Sequence, residues 1–279
     1  MKRKEIRLYL VFSVVLTPVM LHAQYYYQDI VSQYTGLMLY KSLLENRVNS
    51  VSATAYDKDG ELDAAFRFRK QVRKGGSEVW TELKIGGEGI NYTKETYTSG
   101  RLYCLTDSSG QEVSQTKFLY NDGGLPAQIL ISYANEMMGI KNEEKRLWQY
   151  ENERPLSMQY VGVGGDTNFV LFKADSSGKI TDEIWQQGST QTEHYFYYYN
   201  EQGLLSDIVR YHARAAKLLP DFVFDYDKEG HLIRLIQFDI PGANRTTWLY
   251  NYDARQLKTS EIIYDKDMQE IGRVVYTYQ

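Results

Sequence analysis

A short turn motif recurs along the chain and limits what it can fold into. It reads Tyr-[Asp/Asn]-x-x-Gly-x-Leu at Tyr56–Leu62, Tyr199–Leu205 and Tyr226–Leu232. Looser copies start at Tyr120, Tyr150 and Tyr252, and Ala174–Ile180 keeps the turn without the Tyr. From residue 150 the copies start at 150, 174, 199, 226 and 252, spacings of 24 to 27 residues. Each copy is a hairpin signal. Asp or Asn opens the turn by bonding its own backbone, and Gly supplies the positive φ that closes it. The flanks, such as His194–Tyr199 and Leu232–Phe238, are rich in aromatic and β-branched residues. One period therefore holds two strands and two turns. One turn has nearly fixed length; the other varies, at 162–168, 187–191, 213–220 and 240–245. In an up-and-down meander these two kinds of turn fall at opposite ends of the strands.

Two strands per period exceed the roughly ten that an open twisted sheet usually carries, so the sheet must curl, close or split. The expected fold is all-β: a curled antiparallel β-meander of hairpin repeats over 49–279, with a short N-terminal helix in the 24–48 segment. The helix is read from Ile30, Val31, Tyr34, Leu37, Met38, Leu43 and Leu44, near helical spacing within 28–46, with Gly36 weakening its middle. It is expected to cover one face of the curled sheet.

The longer pattern Tyr-x-Tyr-[Asp/Asn]-x-x-Gly-x-Leu, best matched by Phe224–Leu232 and Tyr197–Leu205, resembles the YD (RHS-like) repeats of secreted bacterial proteins. The resemblance covers roughly Asn49 onward and is weakest between 70 and 120. It implies an antiparallel sheet that curls. Long members of that family build shells around a toxin and are associated with carbohydrate or protein binding. This chain is too short for a shell and closes on a strand, Ile271–Tyr278, so toxin delivery is not carried over. It is more similar to the small secreted members.

The N-terminus reads as an address. Residues 2–7 are basic, an apolar run of 13 residues follows from Leu8 to Met20, and Ala23 offers a small-residue cleavage site. A membrane span needs about 20 apolar residues, so 1–23 is expected to be a cleaved secretory signal. Its removal leaves a net charge of −7, which disfavours nucleic-acid binding. No transmembrane helix is expected after cleavage. The expected location is the periplasm or the cell surface. Cys104, the single Cys, excludes an intramolecular disulfide framework and is expected to be a buried thiol.

Chemistry-bearing motifs are sparse. His194, His212 and His231 form no metal-ligand spacing, and His194 is expected opposite Val209 across a hairpin. Asp57–Gly60 and Asp265–Asp267 are partial calcium loops that the repeat already explains as turns. Nucleophile elbow and P-loop are absent, so no cofactor and no metal are expected. Four residues stand out for binding. Arg67 and Arg69 share one face of a basic strand that also holds Gln71 and Arg73, a patch for anionic glycan or lipid headgroups. Trp148 and Trp248 belong to same-face aromatic sets that either hold the sheet or form a sugar-stacking strip. Two insertions, Asn135–Arg146 and Ala213–Pro220, are candidate recognition loops, the second with one helical turn.

The functional expectation is a non-enzymatic binding or scaffold module of the cell envelope, recognising protein or glycan through its repeat surface and variable loops. One alternative is a polysaccharide hydrolase whose carboxylates converge in a concave site. A second is an outer-membrane β-barrel, which requires a continuous outward apolar band.

Overall fold

A computed structural model describes residues 24–212, 216–239 and 244–279. Residues 1–23, expected to be a secretory signal, lie outside the described residues. After a π-helical segment, Tyr26–Val31, and helix α1, Ser32–Glu45, the described residues form 18 strands. In chain order these are β1 Ser50–Asp57, β2 Arg67–Arg73, β3 Glu78–Lys84, β4 Ile90–Thr98, β5 Arg101–Ser109, β6 Glu112–Tyr120, β7 Pro126–Asn135, β8 Ile140–Glu151 and β9 Arg154–Val161. They continue as β10 Thr167–Ala174, β11 Ile180–Gln187, β12 Thr190–Tyr199, β13 Leu205–His212, β14 Lys217–Tyr226, β15 Leu232–Phe238, β16 Arg245–Tyr252, β17 Lys258–Tyr264 and β18 Glu270–Tyr278.

Every strand pairs antiparallel with its chain neighbours, and β1 pairs with β18 from Val51↔Tyr278 to Asp57↔Gly272. The open curled meander is therefore corrected to a closed barrel. Closure removes the two unpaired edges that an open sheet would leave exposed. The start of β1 is bonded to Gln279 in the same seam: Ser50 N–H donates to Gln279 O at 2.9 Å, and Gln279 N–H to Ser50 O at 2.9 Å.

The turn motif behaves as its chemistry dictates. At Asn200 the side-chain Oδ1 accepts from Leu204 N–H at 2.9 Å, and Gly203, at φ +79°, donates to Asn200 O at 2.8 Å. The same bonding recurs at Asn121, Asp175, Asp227 and Asp253. The opening Tyr has a role that pattern alone does not disclose. Its hydroxyl reaches back one repeat and donates to the backbone: Tyr120 to Leu102 O, Tyr150 to Pro126 O, Tyr199 to Ile180 O, Tyr252 to Leu232 O and Tyr278 to Lys258 O, all at 2.6–2.9 Å. Five strands are thus tied by a Tyr hydroxyl to the repeat before them.

A β-bulge beside this Tyr accompanies the turn, as at Tyr198/Tyr199 and Asn251/Tyr252. The bulge corrects the expected register. Tyr199 faces Leu205 rather than Leu204, and the extra residue Ser206 adds a second step, so Val209 lies opposite Phe196 rather than His194. A two-fold alternation counted from the turn cannot foresee it. The insertions also change character. Asn135–Arg146 is a short turn followed by the 12-residue strand β8, not a long loop. In Ala213–Pro220, residues 213–215 lie outside the described residues, and Lys217–Pro220 is strand rather than helix.

Pairing fixes which side chains point inward. Ile129, Met158, Val170, Ile208 and Val274 are at most 1% exposed and share the inner face with Tyr195, Tyr197, Trp148 and Trp248. The start of the N-terminal segment enters this interior rather than covering an open sheet, whereas Tyr34, Met38 and Leu44 of α1, expected on the packed face, are exposed. Tyr25 stacks on Trp185 at 4.5 Å and 8°, Tyr26 meets Tyr197 edge-on at 5.2 Å, and Tyr27 packs on Phe222 and Phe224. Lower down, Tyr40 of α1 stacks on Tyr97 at 3.7 Å, and its hydroxyl donates to Gly76 O at 2.7 Å.

Candidate functional site

Two places concentrate charge, one on each face of the barrel wall. The outer one is built by β2, β3 and β4. Alternation sends Phe68 and Val72 inward and Arg67, Arg69, Gln71 and Arg73 outward, as the sequence predicts. Register places Lys84, Glu82, Trp80 and Glu78 of β3 beside them, and Tyr92 and Lys94 of β4 beyond. Arg67 pairs with Glu82 at 3.2 Å but keeps a side chain 63% exposed. The Arg73 guanidinium and the Lys94 ammonium each lie 5.0 Å from the centre of the Trp80 ring. Glu78 accepts from Lys74 at 2.8 Å, Lys94 at 3.1 Å and the Trp80 indole N–H at 3.1 Å. Lys74 first, then Trp80 and Lys94, hold its carboxyl down to about 2. Six cations (Arg67, Arg69, Arg73, Lys74, Lys84, Lys94) face two carboxylates here, on a chain whose net charge is −4. The site is locally positive against the field of the whole molecule. Trp80 was not singled out from sequence; its parity, opposite to Val79 and Leu83 in one strand, is the signal that marks it as outward.

The inner place receives the N-terminal segment. Glu183 on β11 is fully buried, and its carboxylate accepts from Tyr25 N–H at 2.8 Å, Tyr26 N–H at 3.0 Å, the Trp185 indole at 2.7 Å and the Tyr197 hydroxyl at 2.6 Å. The first amides of a helix have no partner within it, so a carboxylate there satisfies them and meets the positive end of the helix dipole. Burial pushes the Glu183 pKa above its ordinary value, and the Tyr197 and Tyr26 bonds oppose that shift. Nearby, Asp29 pairs with Arg146 at 2.5 Å and accepts from the Trp148 indole at 3.1 Å. Asp221 pairs with Arg210 at 3.0 Å and accepts from the Gln24 side-chain amide at 3.0 Å. No sequence signal marks Glu183, since a lone Glu in a strand reads as solvent-facing.

The four predicted binding residues therefore separate. Arg67 and Arg69 lie together on the outer face. Trp148 and Trp248 are each 5% exposed and inside the barrel. A sugar-stacking strip needs an open ring face, which neither offers. Trp148 stacks on Phe172 at 5.0 Å and bonds Asp29, and Trp248 lies in the main core. Cys104 is buried. Asp227, Glu229 and His231 bring three ligand atoms within 4.8 Å of one another. Asp227 is already engaged there by the His231 amide and ring, as the repeat turn requires. Two shallow surface depressions contain one carboxylate between them, Glu136, so neither presents the facing pair that a hydrolase would need.

The barrel closure fits the outer-membrane alternative better than the open scaffold sheet that the sequence reading put first. Among the described residues no helix is long and apolar enough to cross a membrane, which says nothing of strands.

No family model matches the chain, and no curated protein matches it. Among solved structures, a porin-like protein from Bacteroides uniformis is 10% identical over 83% of this chain and 98% of its own, with a TM-score of 0.40. A TcdB2-TccC3-TEV structure is 13% identical over 76% of this chain, with a TM-score of 0.35; this chain spans 12% of it. The Tc holotoxin pore of Photorhabdus luminescens is 11% identical over 77% of this chain and 15% of its own, with a TM-score of 0.23. Likenesses of this order carry no argument about function.

Proposed function

We propose that this chain is an exported, closed β-barrel of the cell envelope that stands in water, keeps a filled interior, and binds acidic glycan through its outer β2–β4 face. The observation that carries the reading is the partition of side chains across the wall. A membrane barrel points apolar side chains outward and polar ones inward. Here the inner face holds the aromatic and aliphatic core. Apolar side chains also point outward, among them Leu119, Leu130, Phe169, Leu171, Phe196, Ile236 and Val275, but mid-strand Arg69, Lys94, Lys117 and Lys145 share that face. Each Arg or Lys at a bilayer midplane costs about 2–4 kcal/mol. Strands β2, β3, β15 and β17 have 7 residues, short of the roughly 9–11 that span a bilayer.

The second reading, an outer-membrane barrel, is favoured by closure itself and by the even strand number. It keeps the wall in lipid and gives the basic face to anionic headgroups. Charge reversal at Arg67 and Arg69 to Glu, with retention on an acidic polysaccharide column as the readout, tests the proposal. A binding face predicts loss of retention and an unchanged melting curve. Undiminished retention would remove the β2–β4 face from the account.

A further inference from the structure

Glu78 shares the outer face of β3 with Trp80 and Glu82, alternating with inward Val79 and Leu83, yet it is only 8% exposed. Three donors close over it. The Lys74 ammonium lies 2.8 Å from its Oε1, the Lys94 ammonium lies 3.1 Å from the same oxygen, and the Trp80 indole N–H donates to Oε2 at 3.1 Å. They come from the turn after β2, from β3 and from the middle of β4. Glu82, further along the same face, shows the plainer arrangement: Arg67 meets it at 3.2 Å, and its side chain stays 26% exposed. Two ammonium groups and an N–H converging on one carboxylate are the makings of a site for an anionic oxygen group. Here the chain fills that site with a carboxylate of its own. A ligand carboxylate that displaces Glu78 replaces like with like and gains little from the three donors. Glu78 is also tethered, at an effective concentration that is roughly millimolar. A single free carboxylate below that concentration loses the competition. A polymer with a carboxylate on every sugar reaches Arg67 and Arg69 as well, and those contacts drive the exchange.

We propose that Lys74, Lys94 and the Trp80 indole N–H form the carboxylate subsite of the β2–β4 face, that Glu78 occupies it as an internal stand-in for the ligand, and that this occupancy makes the face select polyanionic glycan chains over single acidic sugars. Specificity then comes from a built-in competitor as much as from attraction. The inference rests on the acidic-glycan reading of that face, and the two can fail separately.

The test is calorimetric titration with polygalacturonate and with free galacturonic acid. It compares the parent chain with Glu78→Gln, Glu82→Gln, and Glu78→Gln combined with Trp80→Phe. The parent should bind the polymer and show no binding of the free sugar below millimolar concentration. Glu78→Gln vacates the subsite and should tighten polymer binding about tenfold, the scale of one hydrogen bond to a charged group. Glu82→Gln removes the same charge from the same face without vacating the subsite, and should tighten binding about threefold or less. Adding Trp80→Phe to Glu78→Gln keeps an aromatic ring, removes the indole N–H and should cancel much of the gain. Equal gains in Glu78→Gln and Glu82→Gln would overturn the assignment, because overall charge would then explain both. A parent that binds the free sugar as tightly, per carboxylate, as the polymer would overturn the selection. Should Glu78→Gln not fold, the Trp80 indole N–H resonance of the parent decides: saturating polygalacturonate should shift it, and an unmoved resonance would overturn the exchange. Charge reversal at Arg67 and Arg69 tests the premise. Polymer binding that survives it removes the face itself, whereas binding lost there with no gain in Glu78→Gln removes only the role of Glu78.

Discussion

At the scale of the residue, the repeat works through one Tyr hydroxyl and one Asp or Asn side-chain oxygen. The repeat Tyr reaches the strand that follows the previous turn, so its loss should uncouple neighbours without emptying the core. Tyr199→Phe removes the bond to Ile180 O and the hydroxyl contact with Tyr26. Urea unfolding should show a loss of about 0.5–1.5 kcal/mol, the worth of one such bond; Tyr120→Phe and Tyr252→Phe should behave alike. Glu78 governs acid behaviour at the outer site. Its folded pKa, about 2, lies below the 4.5 of the unfolded chain. Its stabilising contribution is therefore complete above pH 4.5 and is lost as pH falls toward 2. Melting temperature followed from pH 6 to pH 2 should drop less steeply in Glu78→Gln than in the parent. Lys74, Lys94 and Trp80, released from Glu78, should then be freer to meet an anion.

At the scale of the element, the N-terminal segment is held by polar bonds that its apolar spacing does not reveal. The helix was legible from Ile30, Leu37 and Leu43. Its place inside the barrel was not, because the anchors (Glu183, Asp221, Arg146) lie more than 100 residues away. The turns were legible down to single atoms, since an Asx turn with Gly is local chemistry. The bulge at Ser206 was not, because a two-fold alternation carries no mark of an inserted residue. At the outer site Arg67 and Arg69 were readable by parity, whereas Trp148 and Trp248 have the same composition signature whether a ring faces water or core. The anchor makes a firm prediction. Asp29→Ala strands Arg146, whose side chain is 15% exposed, and should cost about 3–5 kcal/mol, as broken buried pairs do. Asp29→Ala with Arg146→Met should recover much of that loss in the same denaturation assay. No recovery would mean that Asp29 acts through Trp148 rather than through charge.

At the scale of the whole molecule, closure and side-chain partition pull in different directions. The 18-stranded ring is an architecture that membrane barrels use, and it also solves the edge problem of any long meander. The ring alone does not choose a solvent; the wall does. The proposed reading, water outside and protein inside, rests on the charges of the outer face and on the core that Tyr25–Tyr27 seal. The measurement that tests this most directly is release of the exported chain by osmotic shock, followed by sedimentation without detergent. A soluble monomer whose electrophoretic migration does not depend on boiling is the predicted result. Retention in the outer-membrane fraction, detergent-dependent extraction and heat-modifiable migration would contradict it and place the wall in lipid.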